Sequence, residues 1–336
     1  MELVYHDLSR IDEVKAFIQN WEDSSDYIHC TTSGSTGIPK RIKLSKKQIE
    51  HSATRTIQYF GLHQGMKAGL ALSMESIAGK LMVVRSMLAR MELHVLPVKK
   101  NPLAQVDIPL DFIALVPSQA SEFLENSLGR QENANVLIGG APLSSGQHQA
   151  IQTYWKNAFQ SYGMTETASH VALRRITSVE DAPYEALDGI RFSEAHSQLV
   201  IHCKDLTQGE IHTTDCVDLL SPSSFRYLGR IDHVINTAGN KVHPEELEFK
   251  LKEHIAGVFM IIPYEDAQYG QGIGLLLIDE KNPLTIAGFK TIEGIKTYEI
   301  PRKYMVVPEI IRNSNDKIDR NAMLDIAKNH VWTSIL

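Results

Sequence analysis

The sequence predicts an α/β fold: a large N-terminal domain with a helix-flanked, mostly parallel sheet and a β-rich subdomain, followed by a small α+β C-terminal domain. Three patterns support this prediction. Helical and strand patterns alternate from residue 45 to 162, short strands with turns fill residues 190–230, and helices and strands mix again after Asp232. Regular alternation is typical of parallel strands covered by helices, and the ligands of such sheets bind beyond the carboxyl ends of the strands.

Local signals place the elements of the first region. Ser45 and Gln48 form a candidate capping box that begins a helix, and this helix ends near Gly61. Residues 77–91 have the composition of a buried helix. The other predicted elements are strands at 70–72, 92–98, 112–116, 136–138 and 158–162, with helices from Pro117 to residue 128 and up to Trp155.

Beyond residue 190 the predicted elements are shorter. They are strands at 198–202 and 210–214, a helix after His243-Pro244, and strands at 258–262 and 273–279. No Gly/Ser-rich linker occurs near Asp232, which favours a tight hinge over a flexible tether. The predicted domains are therefore residues 1–231 and 232–336.

Composition and charge exclude several classes of function. The chain has 336 residues and a formal net charge of −6, so it has no general attraction for nucleic acid or anionic membranes. The N-terminal residues lack the basic and apolar parts of a signal peptide, and no apolar run is long enough for membrane insertion. Cys30, Cys203 and Cys216 lack CxxC spacing, which indicates a reducing cytoplasm without disulfides or a zinc site. The oligomeric state stays open.

The segment TTSGSTGIPK, Thr31 to Lys40, combines two glycines, several hydroxyls and a lysine. Gly34 and Gly37 free the backbone so that N–H groups can point toward an anion. Lys40 adds positive charge, and hydroxyls for phosphate oxygens come from Thr31, Thr32, Ser33, Ser35 and Thr36. The segment therefore suits the triphosphate of ATP, although its spacing differs from that of a Walker A loop. The alternative is a plain flexible loop.

The segment SYGMTETA, Ser161 to Ala168, follows a predicted strand, where a site residue of a parallel sheet is expected. Glu166 can hold Mg²⁺, which prefers oxygen ligands, and Thr165 can donate a hydrogen bond to a phosphate. The alternative is a strand-to-helix junction in which the threonine and the glutamate cap helix N–H groups.

Further candidates occur later in the chain. Asp215, in GEIHTTDCVD, can accept hydrogen bonds from two neighbouring ribose hydroxyls, or it is an ordinary hairpin aspartate. Arg230, in YLGRIDHV, can reach a ribose or a phosphate, or it forms a weak surface pair with Asp232. Lys317 lies in a polar turn, RNSNDKIDR, where a lysine is usually solvated.

In this order, these segments resemble the adenylate-forming superfamily of acyl-CoA synthetases, peptide-synthetase adenylation domains and luciferases. The resemblance extends from residue 31 to about 320 and is specific because residues 31–40 and 227–248 match nearly throughout. It implies an enzyme that uses ATP and Mg²⁺ to activate a small carboxylic acid as an acyl-adenylate, then transfers the acyl group to CoA. It further implies an AMP-binding domain, shortened at its N-terminus, and a mobile C-terminal lid that carries a catalytic lysine.

The resemblance also implies roles for individual residues. Lys317, Thr165 and Glu166 are implied to be catalytic, with Glu166 as the Mg²⁺ ligand and Asp232 as the hinge. The implied nucleotide contacts are Thr32, Ser33, Gly34, Ser35, Thr36, Gly37, Lys40, Gly139, Gly140, Ala141, Tyr162, Gly163, Asp215 and Arg230.

The C-terminal hairpin and several departures from the family complete these implications. The implied tunnel for the thiol is lined by Gly239, Asn240 and Lys241. Asp316 and Thr214 replace glycines that are usual in the family, and Ser76 lies where an aromatic residue or a histidine often guards the acyl pocket. These departures affect the expected shape of the pocket and leave the charged groups in place.

A narrower resemblance, to the o-succinylbenzoate–CoA ligases of menaquinone biosynthesis, rests on the short chain and on IAGK followed by an apolar helix with an arginine. It implies an acyl pocket with Ile77, Ala78, Gly79, Lys80 and Arg85. That substrate has a second, aromatic carboxylate, and Lys80 or Arg85 is its candidate partner because a buried unpaired anion is costly. The alternative is that both side chains extend to solvent.

Other functions stay open at this point. One is a ligase for a different acyl or aryl acid, or an adenylation enzyme that passes the acyl group to a carrier-protein thiol. Another is a non-catalytic nucleotide-binding protein that keeps the fold, although the intact Lys317, Glu166, Asp215 and Arg230 argue against it.

Overall fold

The computed structural model describes residues 1–31, 41–104, 106–126, 130–205, 209–278, 285–312, 318–328 and 330–336. These residues form two compact units. The first unit comprises Met1–Ser193, Val200–His212 and Leu219–Arg226, and the second comprises Glu194–Leu199, Thr213–Asp218 and Tyr227–Leu336. The domain boundary between residues 231 and 232 stays a prediction.

Strands and helices alternate up to the middle of the chain, and strands alone follow. The strands are β1 (Glu2–Tyr5), β2 (Tyr27–Thr31), β3 (Arg41–Ser45), β4 (Lys67–Leu70), β5 (Glu92–Val95), β6 (Phe112–Leu115), β7 (Asn135–Ile138), β8 (Asn157–Met164), β9 (Ser169–Arg175), β10 (Tyr184–Ala186), β11 (Ile190–Ala195), β12 (Gln198–Cys203), β13 (Glu210–His212), β14 (Asp215–Ser221) and β15 (Ser224–Arg230). The helices are α1 (Ile11–Glu22), α2 (Lys46–Phe60), α3 (Ile77–Ala89), α4 (Pro117–Asn126) and α5 (Ser145–Tyr154).

A large mixed sheet organises this part of the chain. In the described residues its strand order is β1-β5-β4-β6-β7-β8-β9-β10-β15-β14. The strands from β1 to β8 in this order pair in parallel, whereas β9 pairs antiparallel with both β8 and β10. β6 is buried at every position, as expected for a strand covered on both faces. The prediction of an α/β fold with a large sheet containing parallel strands is therefore confirmed.

Helix α2 begins and ends where its local signals place it. The Ser45 hydroxyl accepts a hydrogen bond from the Gln48 backbone N–H, and Gly61 ends the helix with a φ of 63°. The predicted capping box is only half right, because the Gln48 side chain does not cap back. Its Nε2 instead donates to the backbone oxygen of Glu166, at 2.9 Å.

Strand β8 is longer than the predicted strand at residues 158–162. It continues through a register shift between Tyr162 and Gly163 and then pairs antiparallel with β9. A Cβ atom on Gly163 would overlap the backbone of Ser169 and His170, so only glycine allows the strands to approach this closely. The alternative of a strand-to-helix junction in SYGMTETA is wrong, since this segment is the end of β8 followed by a turn that leads into strand β9.

The second unit has its own sheet and core. Its further strands are β16 (Ile235–Thr237), β17 (Asn240–Val242), β18 (Phe259–Asp266), β19 (Gly270–Leu277), β20 (Lys303–Val306) and β21 (Thr333–Ser334), and its helices are α6 (Pro244–Leu251), α7 (Ile286–Lys290) and α8 (Arg320–Lys328). In the described residues the order is β17-β16-β19-β20-β21, with β18 paired to β19. Ile235, Leu247 and Leu275 are fully buried in its apolar core. The helix predicted after His243-Pro244 is confirmed.

Candidate functional site

Two glycines follow β7 at the carboxyl end of the parallel strands. A Cβ atom on Gly139 would overlap the hydroxyl of Ser161 on the neighbouring strand β8. That hydroxyl donates to the Ile138 backbone oxygen at 3.2 Å, which fixes the close approach. Gly140 has a φ of 96°, a backbone conformation that glycine adopts without strain. The φ of Gly140 therefore favours glycine there, Gly139 lies close against Ser161, and the two glycines leave backbone uncovered by side chains at the expected ligand-binding edge of the sheet.

The turn from Thr165 to Ala168 is held from the side by helix α2. Gln48 donates to the Glu166 backbone oxygen at 2.9 Å, and the Ser52 hydroxyl donates to the Ala168 backbone oxygen at 2.8 Å. Both side chains are buried and lie one helical turn apart. These roles were not predicted from the sequence. The signal that could have indicated them is a pair of polar residues on the buried face of an amphipathic helix.

The Glu166 side chain points to solvent from this fixed turn. Among the residues that the structure describes, the Glu166 carboxylate has no hydrogen-bond or ion-pair partner, and Glu166 is exposed. A free carboxylate on a rigid backbone fits one ligand of Mg²⁺, which is commonly bound by one or two carboxylates together with substrate phosphates and water. Beside it, the Tyr162 ring packs edge-on against Phe225 at 5.0 Å, which fixes one face of the strand end.

Arg85 lies inside the first unit, on helix α3. It is 1% exposed, and its Nε has no hydrogen-bond partner among the described residues. One Nη is 3.4 Å from the Ser169 hydroxyl, next to the turn that carries Glu166. Burial lowers the pKa of Arg85 to about 9, which means that the charged form is disfavoured in this environment. The alternative that both basic side chains of the helix extend to solvent is therefore wrong for Arg85.

Lys80 has a different environment from Arg85. Its Nζ donates to the backbone oxygen of His29 at 3.2 Å, and its residue is partly exposed. Lys80 can therefore remain hydrated, whereas Arg85 cannot. Of the two candidates, the buried arginine is the one whose charge requires a partner.

Helix α3 packs tightly on the segment that leads into it. Arg10, which is buried, donates to the backbone oxygens of Leu70 and Leu72 at 2.9 and 2.8 Å. The chain then passes so close to the helix that a Cβ atom on Gly79 would overlap the Ser73 backbone oxygen. Gly79, in the IAGK segment, therefore sets the distance between this segment and the helix that carries Arg85.

Gly79→Ala is expected to lower the free energy of unfolding by about 1–3 kcal/mol, because either the helix or the Ser73 segment must move. Thermal denaturation measures the effect as a lower Tm. Gly146→Ala is the matched control: this glycine is also helical, but nothing lies within 4 Å of its Cβ position. It should change Tm little or raise it slightly. Equal melting of the two variants would show that the Ser73 contact imposes no constraint.

In the second unit, the structure brings Asp215 and Arg230 together. Asp215 begins β14, Arg230 ends β15, and the Ile231 N–H donates to the Thr214 oxygen at 2.8 Å. Arg230 also forms a two-pronged pair with Asp232, with both N–O distances 2.9 Å. Burial lowers the pKa of Arg230, but the hydrogen bonds to Asp232 and the charges of Asp232 and Asp215 outweigh burial and raise it. An aspartate and an arginine at one end of a hairpin can serve two adjacent hydroxyls.

The hairpin of strands β16 and β17 follows directly. Thr237 pairs with Asn240 across a two-residue loop, in which Ala238 and Gly239 have φ values of 50° and 80°. Two positive φ values are typical of the tight turns that connect twisted strands. Gly239, Asn240 and Lys241 therefore lie in the turn and second strand of this hairpin, whereas Pro244 already begins α6. Their role as a thiol tunnel stays a prediction.

Several predicted site residues cannot be placed. The residues of the predicted phosphate loop and the predicted catalytic lysine lie outside the described residues, namely Thr32, Ser33, Gly34, Ser35, Thr36, Gly37, Lys40 and Lys317. The described candidates lie at the strand ends of the first unit, at Gly139–Ala141 and Tyr162–Glu166, and at the β14–β15 hairpin end of the second.

The fold and these positions identify the class of protein. The AMP-binding enzyme family matches residues 7–192, more than half of the chain. The chain therefore belongs to the AMP-binding enzyme family. Nowhere in the described ranges does a helix combine the length and apolar character needed to cross a membrane.

Individual proteins of known name and known structure are similar to this chain. The 2-succinylbenzoate–CoA ligase of Escherichia coli is 23% identical over 92% of this chain and 70% of its own length. An acyl-CoA synthetase (AMP-forming)/AMP-acid ligase II-like protein from Dyadobacter fermentans is 32% identical, with a TM-score of 0.61 over 94% of this chain and 93% of its own. The o-succinylbenzoate coenzyme A synthetase of Bacillus subtilis, in complex with ATP and magnesium ion, has a TM-score of 0.73 at 21% identity, over 88% of this chain and 69% of its own.

Proposed function

We propose that this chain is an AMP-forming acid–thiol ligase that converts 2-succinylbenzoate, ATP and CoA into 2-succinylbenzoyl-CoA, AMP and pyrophosphate. The observation that carries the choice of acid is Arg85, a buried cation with an unpartnered Nε beside the turn that holds Glu166. A bound anion would compensate such a charge. 2-Succinylbenzoate brings a second carboxylate besides the one that reacts, and relatives named for this reaction support the choice. Because ATP and CoA are its co-substrates, we place the reaction in the cytoplasm.

The first half-reaction brings two anions together. An oxygen of the succinyl carboxylate attacks the α-phosphorus of ATP, a new O–P bond forms, and the bond to pyrophosphate breaks. Negative charge spreads over the phosphate oxygens in the transition state, and positive groups fixed in place beforehand stabilise it. Lys317 and Lys40 are assigned this role. Glu166 would hold Mg²⁺, which neutralises phosphate charge when bound, and Thr165 would donate to a phosphate oxygen.

The nucleotide contacts are assigned from the resemblance to the family, residue by residue. Asp215 and Arg230 lie side by side and are assigned to the ribose. The strand ends beyond β7 and β8 are assigned to the adenine, through Gly139, Gly140, Ala141, Tyr162 and Gly163. The segment from Thr32 to Gly37 is assigned to the phosphates.

The second half-reaction transfers the acyl group. The thiol sulfur of CoA attacks the activated carbonyl, a C–S bond forms, the C–O bond to AMP breaks, and the thiol proton is released. An acyl-adenylate is hydrolysed if water enters, so the site has to close during the cycle. Residues 232–336 are assigned as the lid, with Asp232 as the hinge and the thiol entering along Gly239, Asn240 and Lys241.

Purified protein should release pyrophosphate and form a thioester when 2-succinylbenzoate, ATP, Mg²⁺ and CoA are all present. The matched control acid is 4-oxo-4-phenylbutanoate, which lacks only the aromatic carboxylate. We expect kcat/KM to favour the dicarboxylate by at least ~10²-fold, since a site built around a buried polar partner rejects analogues that leave this partner unpaired.

The same assay separates the other candidate functions. Turnover of benzoates or fatty acids without turnover of 2-succinylbenzoate would reject the proposed acid. Preference for a phosphopantetheinylated carrier protein over CoA would reject the proposed acceptor. Absence of pyrophosphate release with every acid tested would reject ligase activity and favour a nucleotide-binding protein without catalysis.

A further inference from the structure

In the second unit, a series of charged side chains contact one another between the predicted hinge and helix α8. Arg230 is paired with Asp232, and His233 follows directly in sequence. The His233 Nδ1 lies 2.5 Å from Oε1 of Glu245, and the same oxygen lies 3.3 Å from Nε of Arg320. These contacts connect the end of β15, the start of α6 and the start of α8.

Arg320 is held on several sides. Its Nη2 lies 2.5 Å from Oε2 of Glu248, and its Nη1 donates to the Ile261 backbone oxygen at 3.0 Å. The side chain is 12% exposed, and its described contacts are with protein oxygens, so it is not poised to bind a substrate. Burial lowers the pKa of Arg320, but the charges of Glu248 and Glu245 outweigh burial and raise it. Arg320 therefore stays positively charged and is held in place by these contacts.

Glu245 joins strand β15 to the same cluster. A Cβ atom on Gly229 would overlap Oε2 of Glu245, so this carboxylate lies directly against the strand, next to Arg230. Burial raises the pKa of Glu245, but the hydrogen bond with His233 and the charge of Arg320 outweigh burial and lower it. One ionised carboxylate therefore contacts Arg320 and lies against the residue that precedes Arg230.

Arg320, at the other end of this series of charged side chains, is close in sequence to Lys317. Arg320 is the first residue of α8 and follows Lys317 by three positions. Ile318 forms an antiparallel bridge with Arg312, and the Asp319 N–H donates to the Ile311 oxygen at 2.9 Å. A displacement of Arg320 must therefore displace the C-terminal flank of Lys317.

We propose that Arg320 is a positioning residue for adenylation, which holds the flank of Lys317 near Arg230 through Glu245 and Glu248 while the lid is in position for this half-reaction. The inference rests on the proposed function, in which Arg230 contacts the ribose and Lys317 the reacting phosphate of the same nucleotide. A misplacement of ~1 Å in a catalytic arrangement can cost ~10²-fold in rate. A residue that never touches the substrate can therefore affect the chemical step strongly.

The test is a double-mutant cycle between Arg320→Gln and Lys317→Ala, read as acid-dependent pyrophosphate exchange. With Lys317 present, Arg320→Gln should lower kcat by ~10-fold or more and change KM for ATP less, as for an interaction realised in the transition state. In the Lys317→Ala background the same change should cost less than ~2-fold, because two residues that act as a unit are not additive. Lys328→Gln, on the same helix and paired with the exposed Asp325, is the matched control and should leave the rate unchanged.

Loss of one partner from a buried ion pair is destabilising, so Tm is measured for every variant. If Arg320→Gln fails to fold, the cycle is run with Arg320→Lys, which keeps the charge but loses the planar fork. Arg320→Lys should give an intermediate loss of kcat, again only when Lys317 is present. Additive losses in the cycle would overturn the positioning role while the role of Lys317 stands. Unimpaired adenylation by Lys317→Ala would overturn both.

Discussion

Replacement of Lys317 by alanine is expected to lower the rate of adenylation by at least ~10²-fold, a loss typical of removing one donor that stabilises transition-state charge. Thioester formation from supplied 2-succinylbenzoyl-AMP should be spared, because pyrophosphate has already left and its charge no longer needs stabilisation. The two half-reactions are measured separately, as pyrophosphate exchange and as thioester formation from the adenylate.

The fold should tolerate this substitution. The flanks of the segment are joined by the bridge between Arg312 and Ile318 and by the bond from Asp319 to Ile311, and neither uses the Lys317 side chain. Lys290→Ala, at an exposed position at the end of α7, is the control for loss of one positive charge from the same unit. Equal loss in both half-reactions would contradict a role confined to adenylation.

Much of the secondary structure could be predicted because its signals are local. Ser45 and Gly61 determine the ends of α2 through a side-chain cap and a left-handed residue, and both signals lie within the segment itself. Helix α3 was predicted at residues 77–91 and is observed at Ile77–Ala89. Its apolar composition is sufficient to identify a buried helix.

The errors concern contacts between residues that are distant in sequence. Gln48 was assigned to a capping box, but it donates to Glu166, 118 residues away. The segment after Tyr162 continues as a strand, because Gly163 lets β9 approach more closely than any other residue would allow. The local pattern contains no information about the partner strand of β8 or the hydrogen-bond acceptor of Gln48. Local propensity alone therefore could not predict either contact.

For the candidate site, too, the residue types could be predicted from the sequence, whereas contacts between residues distant in sequence could not. Glu166, Asp215 and Arg230 indicate the chemistry through their combination and order along the chain, although each has an ordinary structural alternative when taken alone. The environment of Arg85 could not be predicted, because its burial and its lack of a partner depend on how α3 packs. Arg320 was not singled out at all, since its partner Glu248 is 72 residues away and a basic residue in a polar turn is usually solvated.

Arg85→Met is expected to raise KM for 2-succinylbenzoate by ~10²-fold or more, while KM for 4-oxo-4-phenylbutanoate stays near its wild-type value. Without the cation, the aromatic carboxylate would be buried unpaired, and breaking a buried ion pair in this way costs about 3–5 kcal/mol. That free energy corresponds to ~10²–10⁴-fold in affinity. Methionine keeps much of the apolar stem of the side chain, so the pocket wall remains. Initial rates with the two acids measure the difference directly.

The same substitution should raise the Tm of the ligand-free protein, because replacing a buried charge by an apolar side chain removes its desolvation cost. 2-Succinylbenzoate should then stabilise the wild-type protein more than Arg85→Met, since only the former offers the buried cation. Lys80→Met is the matched comparison on the same helix and should change both KM values little, because Lys80 reaches the His29 oxygen and solvent. A destabilised Arg85→Met protein with equal increases of KM for both acids would mean that Arg85 supports the packing of α3. The second carboxylate would then have to be held by another group.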